Sequence, residues 1–88
     1  MKKIIGRLKP FQMEQTLMVY EDGNKIDIVK TTMANLHQDL FQLMDKHQVY
    51  RLDLVGPKKY SKGIANQIYK VCEIENKFNL DKIEINVI

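Results

Sequence analysis

The residues best able to do chemistry stand together at Gly56-Pro57-Lys58-Lys59-Tyr60-Ser61-Lys62-Gly63, directly after the run Leu52-Asp53-Leu54-Val55. A strand that leads through a basic, glycine-bounded loop (56–63) into a helix offers an anion unpaired backbone N–H groups and the positive end of a dipole. Lys58, Lys59 and Lys62 add mobile positive charge there, and Tyr60 adds an aromatic face of the kind on which single-stranded bases stack. Arg7 and Lys9 fall near the same edge if the first and fourth strands are neighbours. The candidate anion or nucleic-acid site is therefore Arg7, Lys58, Lys59, Tyr60, Lys62 and Gly63. The loop lacks the Gly-Lys-Ser/Thr ending of a P-loop, and Pro57 removes one N–H from any phosphate cradle. The competing reading takes Gly56-Pro57 as a strand break, Ser61 as a helix cap and the lysines as solvated surface charge.

Elsewhere the reactive residue types are dispersed. His37 and His47 lie ten positions apart, about 280° around a helix at roughly 100° per residue, so they do not form a chelating pair. His47, near a helix end, is expected to face the core or the C-terminal dipole. Cys72 falls on an apolar helical stripe and reads as a small buried hydrophobe, with no neighbouring base to activate it. The sequence points to no catalytic set, no metal site and no cofactor. Asp53 is kept as a third, enzymatic reading that needs a second carboxylate beside it; pairing with Arg51 or Lys82 would leave that reading without support.

With 44% hydrophobic and 28% charged residues, the 88 residues describe one domain spanning 1–88, too short for two cores and too apolar for disorder. A chain of this size buries only about two-thirds of its unfolded surface, so self-association or a protein partner is expected to add cover. The lone cysteine excludes an intrachain disulfide and fits a reducing compartment. The run Ile4-Ile5 between Lys3 and Gly6 is too short for a signal peptide or a membrane span, and a cytoplasmic location is expected. A net charge of +3 permits nucleic-acid binding without requiring it, because the charges of both signs are mixed along the chain.

These groups must be positioned by a short list of elements. Residues 2–9 read as a first strand ended by Pro10. Residues 16–20 and 25–29 flank Glu21-Asp22-Gly23-Asn24, and Asp-Gly between two β-rich runs predicts a tight hairpin. Phe11-Gln12-Met13-Glu14-Gln15 reads as a wide turn or bulge. From Met33 the period changes: Met33, Leu36, Leu40, Leu43, Met44 and His47 share one helical stripe, with Thr31 or Thr32 as the N-cap and Phe41 beside it as core or contact surface. Residues 50–54 predict a fourth strand, a second helix starts at about Ser61 with Ile64, Ile68, Val71 and Cys72 inward, and 83–87 predict a last strand.

The order β-β-β-α-β-α-β with right-handed crossovers predicts an α/β (α+β) two-layer sandwich: a five-stranded mixed sheet of order 3-2-1-4-5 with both helices on one face. Arg51, Asp53, Glu84 and Asn86, with Arg7 and Lys9 or their neighbours from the first strand, are then expected on the open face. This element order resembles the core of the ribonuclease H-like superfamily, which includes resolvase-type nucleases and, in duplicated form, the actin-like ATPases. The resemblance implies a carboxylate in the first strand, one at the start of the first helix and one near the end of the fourth strand, together holding two divalent metals. Here the first strand is Lys3-Ile4-Ile5-Gly6-Arg7-Leu8-Lys9 and the helix opens Met33-Ala34-Asn35, so only Asp53 corresponds. An inactive relative or an unrelated domain of the same topology follows. The Lys/Ile/Asn-rich style also resembles that of many small phage-encoded proteins.

The reading that results is a non-enzymatic binding module acting through protein contacts. The alternative is nucleic-acid or nucleotide-phosphate binding through the loop 56–63, and the third is a degenerate metal-dependent nuclease-like enzyme.

Overall fold

The computed structural model describes residues 3–11, 14–75 and 83–88. Strands β1 (Ile4–Phe11), β2 (Glu14–Glu21) and β3 (Asn24–Thr32) are followed by helix α1 (Leu36–His47), strand β4 (Arg51–Leu54), helix α2 (Lys58–Glu75) and strand β5 (Glu84–Val87). The sheet order is β3-β2-β1-β4-β5, with antiparallel pairing among the first three strands and parallel pairing of β4 with both β1 and β5. The predicted topology is the one observed.

The hairpin forms where Asp-Gly places it. Asp22 (φ 52°) and Gly23 (φ 86°) are both left-handed, the backbone of a two-residue turn whose twist matches that of the strands. Alternation then sorts the side chains. Leu8, Leu17, Val19, Leu52 and Leu54 from the sheet meet Leu36, Leu40, Leu43 and Met44 of α1 and Ile64, Ala65, Ile68 and Cys72 of α2 in one core. Both helices therefore cover the same face of the sheet. Phe41, 3% exposed, belongs to that core rather than to a contact surface.

Three departures from the expected boundaries have a local reason each. First, β1 runs through Pro10 to Phe11. The Asp22 N–H donates to the Lys3 carbonyl, which makes 3/22 a hydrogen-bonded pair, and alternation makes Pro10/Gln15 a non-hydrogen-bonded one. The Pro10 nitrogen thus faces β4, whose ladder with β1 ends at Leu8, so no ladder bond is lost.

Second, β3 extends to Thr32, and α1 begins three residues later than Met33, at Leu36. Thr31 stays in the ladder opposite Gln15 and its hydroxyl donates to the Asp39 carboxylate, so neither Thr31 nor Thr32 caps the helix. Asn35 holds the N-cap position without a side-chain cap bond, and Met33 is left 44% exposed, outside the core.

Third, α2 begins at Lys58, not Ser61. The Ser61 N–H donates to the Pro57 carbonyl at 3.0 Å, so the first helical bond starts from the proline, whose missing N–H costs nothing there. Ser61 is not a cap: its side chain is fully buried along the stripe of Ile64, Ala65 and Ile68. Glu14 and Gln15 lie in β2, while residues 12 and 13 of the expected wide turn fall outside the described residues. Among the described residues no helix is long and apolar enough to cross a membrane.

Candidate binding cleft at the start of the second helix

Moving the start of α2 back to Lys58 turns the basic loop into a basic helical turn. Lys59, Tyr60, Gly63, Ile64 and Gln67 then share one helical face by their i, i+4 spacing, and with Met33 they line a cleft of about 470 Å³. Gly63 leaves this face without a side chain, with open space where a Cβ would stand. Met33 forms the opposite wall from the β3–α1 connection; its sulfur accepts a hydrogen bond from the buried Gln15 amide at 3.2 Å. Tyr60 is 61% exposed and Ile64 is buried beneath it. The walls are apolar, with one ammonium and one amide at the rim.

The electrostatics are one-sided. No acidic residue occupies the first turn of α2, where acids are favoured, while Lys58 and Lys59 stand in it and Lys62 follows one turn on. Each cation near the positive end of a helix costs roughly 0.3–1 kcal/mol at low salt, a penalty that a negatively charged ligand removes.

Of the expected site residues the structure brings Lys59, Tyr60 and Gly63 to the cleft; Lys58 and Lys62 stand on the same first turns of α2 without lining it, and Arg7 lies elsewhere. Arg7 projects from the sheet face opposite the helices, its guanidinium 4.8 Å from the Tyr20 ring centroid. There it belongs to a row in register across all five strands: Ile28, Met18, Arg7, Asp53 and Asn86. Arg7 thus lies beside β4 and on the open face, as the strand alternation leads one to expect, and the same parity keeps it from joining the lysines of α2.

Asp53 is 4% exposed although no helix covers it. Its carboxylate accepts hydrogen bonds from Arg51 Nε at 3.3 Å and Asn86 Nδ2 at 3.1 Å. Among the described residues no three His, Cys, Asp or Glu side chains gather as a metal site. Lys82 lies outside the described residues.

His47 faces neither the core nor the helix dipole alone. Its Nε2 lies 2.8 Å from Asp27 Oδ2, because β3 is long enough to carry Asp27 beside the last turn of α1. His37 sits in a second cleft with Phe41 and Glu75; burial lowers its pKa, and the Glu75 charge partly opposes that. Burial, and secondarily Glu75, pushes the Cys72 thiol up, in keeping with its place in the core. Sequence reasoning missed Met33 and Gln67 as cleft residues. The i, i+4, i+8 spacing of Lys59, Gly63 and Gln67 is a signal available in the chain; nothing local marks Met33.

No family model matches the chain, and no curated protein matches it. A solved structure does. A protein from Bacteroides thetaiotaomicron VPI-5482, described as having an actin-like ATPase fold and unknown function, superposes with a TM-score of 0.68 at 9% sequence identity. The fold is similar to part of that one. That likeness covers 97% of this chain and 32% of the other, so the chain spans about a third of its neighbour's length. At such identity the likeness is one of fold alone, in line with the ribonuclease H-like topology that the element order resembles.

Proposed function

We propose that this domain is a non-enzymatic interaction module whose cleft at the start of α2 takes an acidic segment of a partner protein bearing an apolar side chain. The observation that carries the reading is the pairing of apolar walls, Met33, Tyr60 and Ile64, with the Lys59 ammonium at the rim and no acid in the first turn of α2. An apolar side chain would displace water from the cleft while carboxylates beside it offset the lysines. Methionine suits such a wall because its unbranched thioether adapts to irregular shapes. Support for a role without catalysis comes from the buried Cys72 and from Asp53, held by Arg51 and Asn86.

A second reading, binding of a nucleic-acid or nucleotide phosphate, draws on one observation: the exposed Tyr60 ring beside Lys59 can stack a base while the lysines meet its phosphate. One titration separates the two. Fluorescence anisotropy would follow a labelled peptide of Glu and Leu, and separately a labelled oligothymidylate, at low and moderate salt. Peptide binding that falls on Met33→Ala, with no oligonucleotide binding, is expected. Oligonucleotide binding that weakens steeply with salt and is lost in Lys58→Ala/Lys59→Ala/Lys62→Ala would replace the peptide reading with the nucleic-acid one. No binding of either probe at low salt would overturn both.

A further inference from the structure

β3 is an edge strand, and its exposed backbone follows from the ladder. Since 3/22 is a hydrogen-bonded pair, the even-numbered residues of β2 bond toward β1 and Gln15, Leu17 and Val19 bond toward β3. Their partners Thr31, Val29 and Asp27 point inward, which leaves the N–H and C=O of Ile28 and Lys30 facing outward. An edge of this kind is a template for another strand.

One of those groups is already taken. The Ile28 N–H donates to Asp27 Oδ1 at 2.8 Å. The other carboxylate oxygen, Oδ2, lies 2.8 Å from His47 Nε2 and 3.4 Å from Lys46 Nζ, so the last turn of α1 holds the carboxylate against the edge. The register shift between Val19 and Tyr20 puts a bulge at the adjoining end of the strand.

We infer that Asp27, clamped by His47 and Lys46, is a plug on the β3 edge, and that the strand it excludes is β3 of a second copy of this chain. The residues favour self-pairing once the plug is removed. Two antiparallel β3 strands related by a two-fold axis at Ile28 set Lys30 opposite Ile26, Asp27 opposite Val29 and Lys25 opposite Thr31, so no two like charges face each other directly. Ile28 meets its own copy there. Ile26 and Ile28 are 43% and 49% exposed, and their apolar surface would be covered by the partner strand's side chains.

Two variants and one exchange measurement test this. Sedimentation velocity is expected to show Asp27→Ala dimerising at least about tenfold more tightly than the wild type, roughly the effect of one freed hydrogen-bonding pair. Adding Ile28→Pro removes the outward N–H without touching the β2–β3 ladder and is expected to restore wild-type sedimentation. An Asp27→Ala protein that sediments like the wild type, or one that still associates with Ile28→Pro, overturns the inference. Should Asp27→Ala fail to fold, as read by circular dichroism, hydrogen exchange on the wild type and on His47→Ala decides. The Ile28 amide should exchange more slowly than the equally outward Lys30 amide in the wild type, and this difference should shrink in His47→Ala; equal rates in the wild type, or a difference untouched by His47→Ala, overturn it.

Discussion

Gly56 and Pro10 close the end of the β1–β4 pair against each other: a Cβ on Gly56 would stand 3.0 Å from Pro10 Cγ and 3.1 Å from its Cδ. The proline nitrogen faces the side where β4 has ended, and the chain leaving β4 must pass over the ring. Gly56→Ala is therefore expected to cost about 1–3 kcal/mol through overpacking against a rigid ring. Pro10→Ala in the same chain should recover most of that loss, as read from urea denaturation of the two single variants and the double variant.

Gly63 presents the opposite case. It lies inside α2 with nothing within 4 Å of the place a Cβ would take, so Gly63→Ala should stabilise the domain by about 1 kcal/mol. In a domain of this size that raises Tm by roughly 4–8 °C. Because Gly63 also lines the cleft, the same variant is expected to weaken binding of the acidic peptide, separating a gain in stability from a loss of function.

Replacing Lys58, Lys59 and Lys62 together with Ala should leave cooperative unfolding intact, since all three are exposed. The midpoint of thermal unfolding is expected to stay level or rise, because cations at the positive end of a helix are unfavourable and alanine is the best helix former. A lost transition in differential scanning calorimetry would contradict the surface position of these side chains.

Acid should destabilise the protein in two stages, with the same sign. The pKa of His37 is lowered from 6.5 by burial, so the unfolded chain binds its proton first; its contribution is complete above pH 6.5 and declines as the pH falls below that value. The Asp27 pKa is lowered from 3.8, chiefly by the His47 hydrogen bond, so its contribution is present above 3.8 and is lost as the pH falls through the lower folded value. Urea midpoints between pH 8 and pH 5 should fall for the wild type and fall less for His37→Gln.

Much of the fold was legible because it depends on neighbours in the chain. Asp22-Gly23 needs positive φ whatever surrounds it, and the change from a period of two to one of 3.6 after β3 marks the passage from sheet to helix. Where local signals competed, the reading erred. Thr31 and Thr32 suit an N-cap, yet the ladder with β2 holds them in the strand. Ser61 suits one too, but Pro57 offers the first carbonyl a turn earlier.

By itself the sequence determined the element order, the hairpin, the strand order and the cluster of lysines around Tyr60, because each rests on local conformational preference or on the handedness of crossovers. The tertiary structure decided which of those residues meet. The length of β3 carried Asp27 to His47 twenty residues away, and the connection after Thr32 set Met33 across the cleft from Tyr60. Each is a contact between segments distant in the chain, fixed by register and packing, and no local pattern encodes a register.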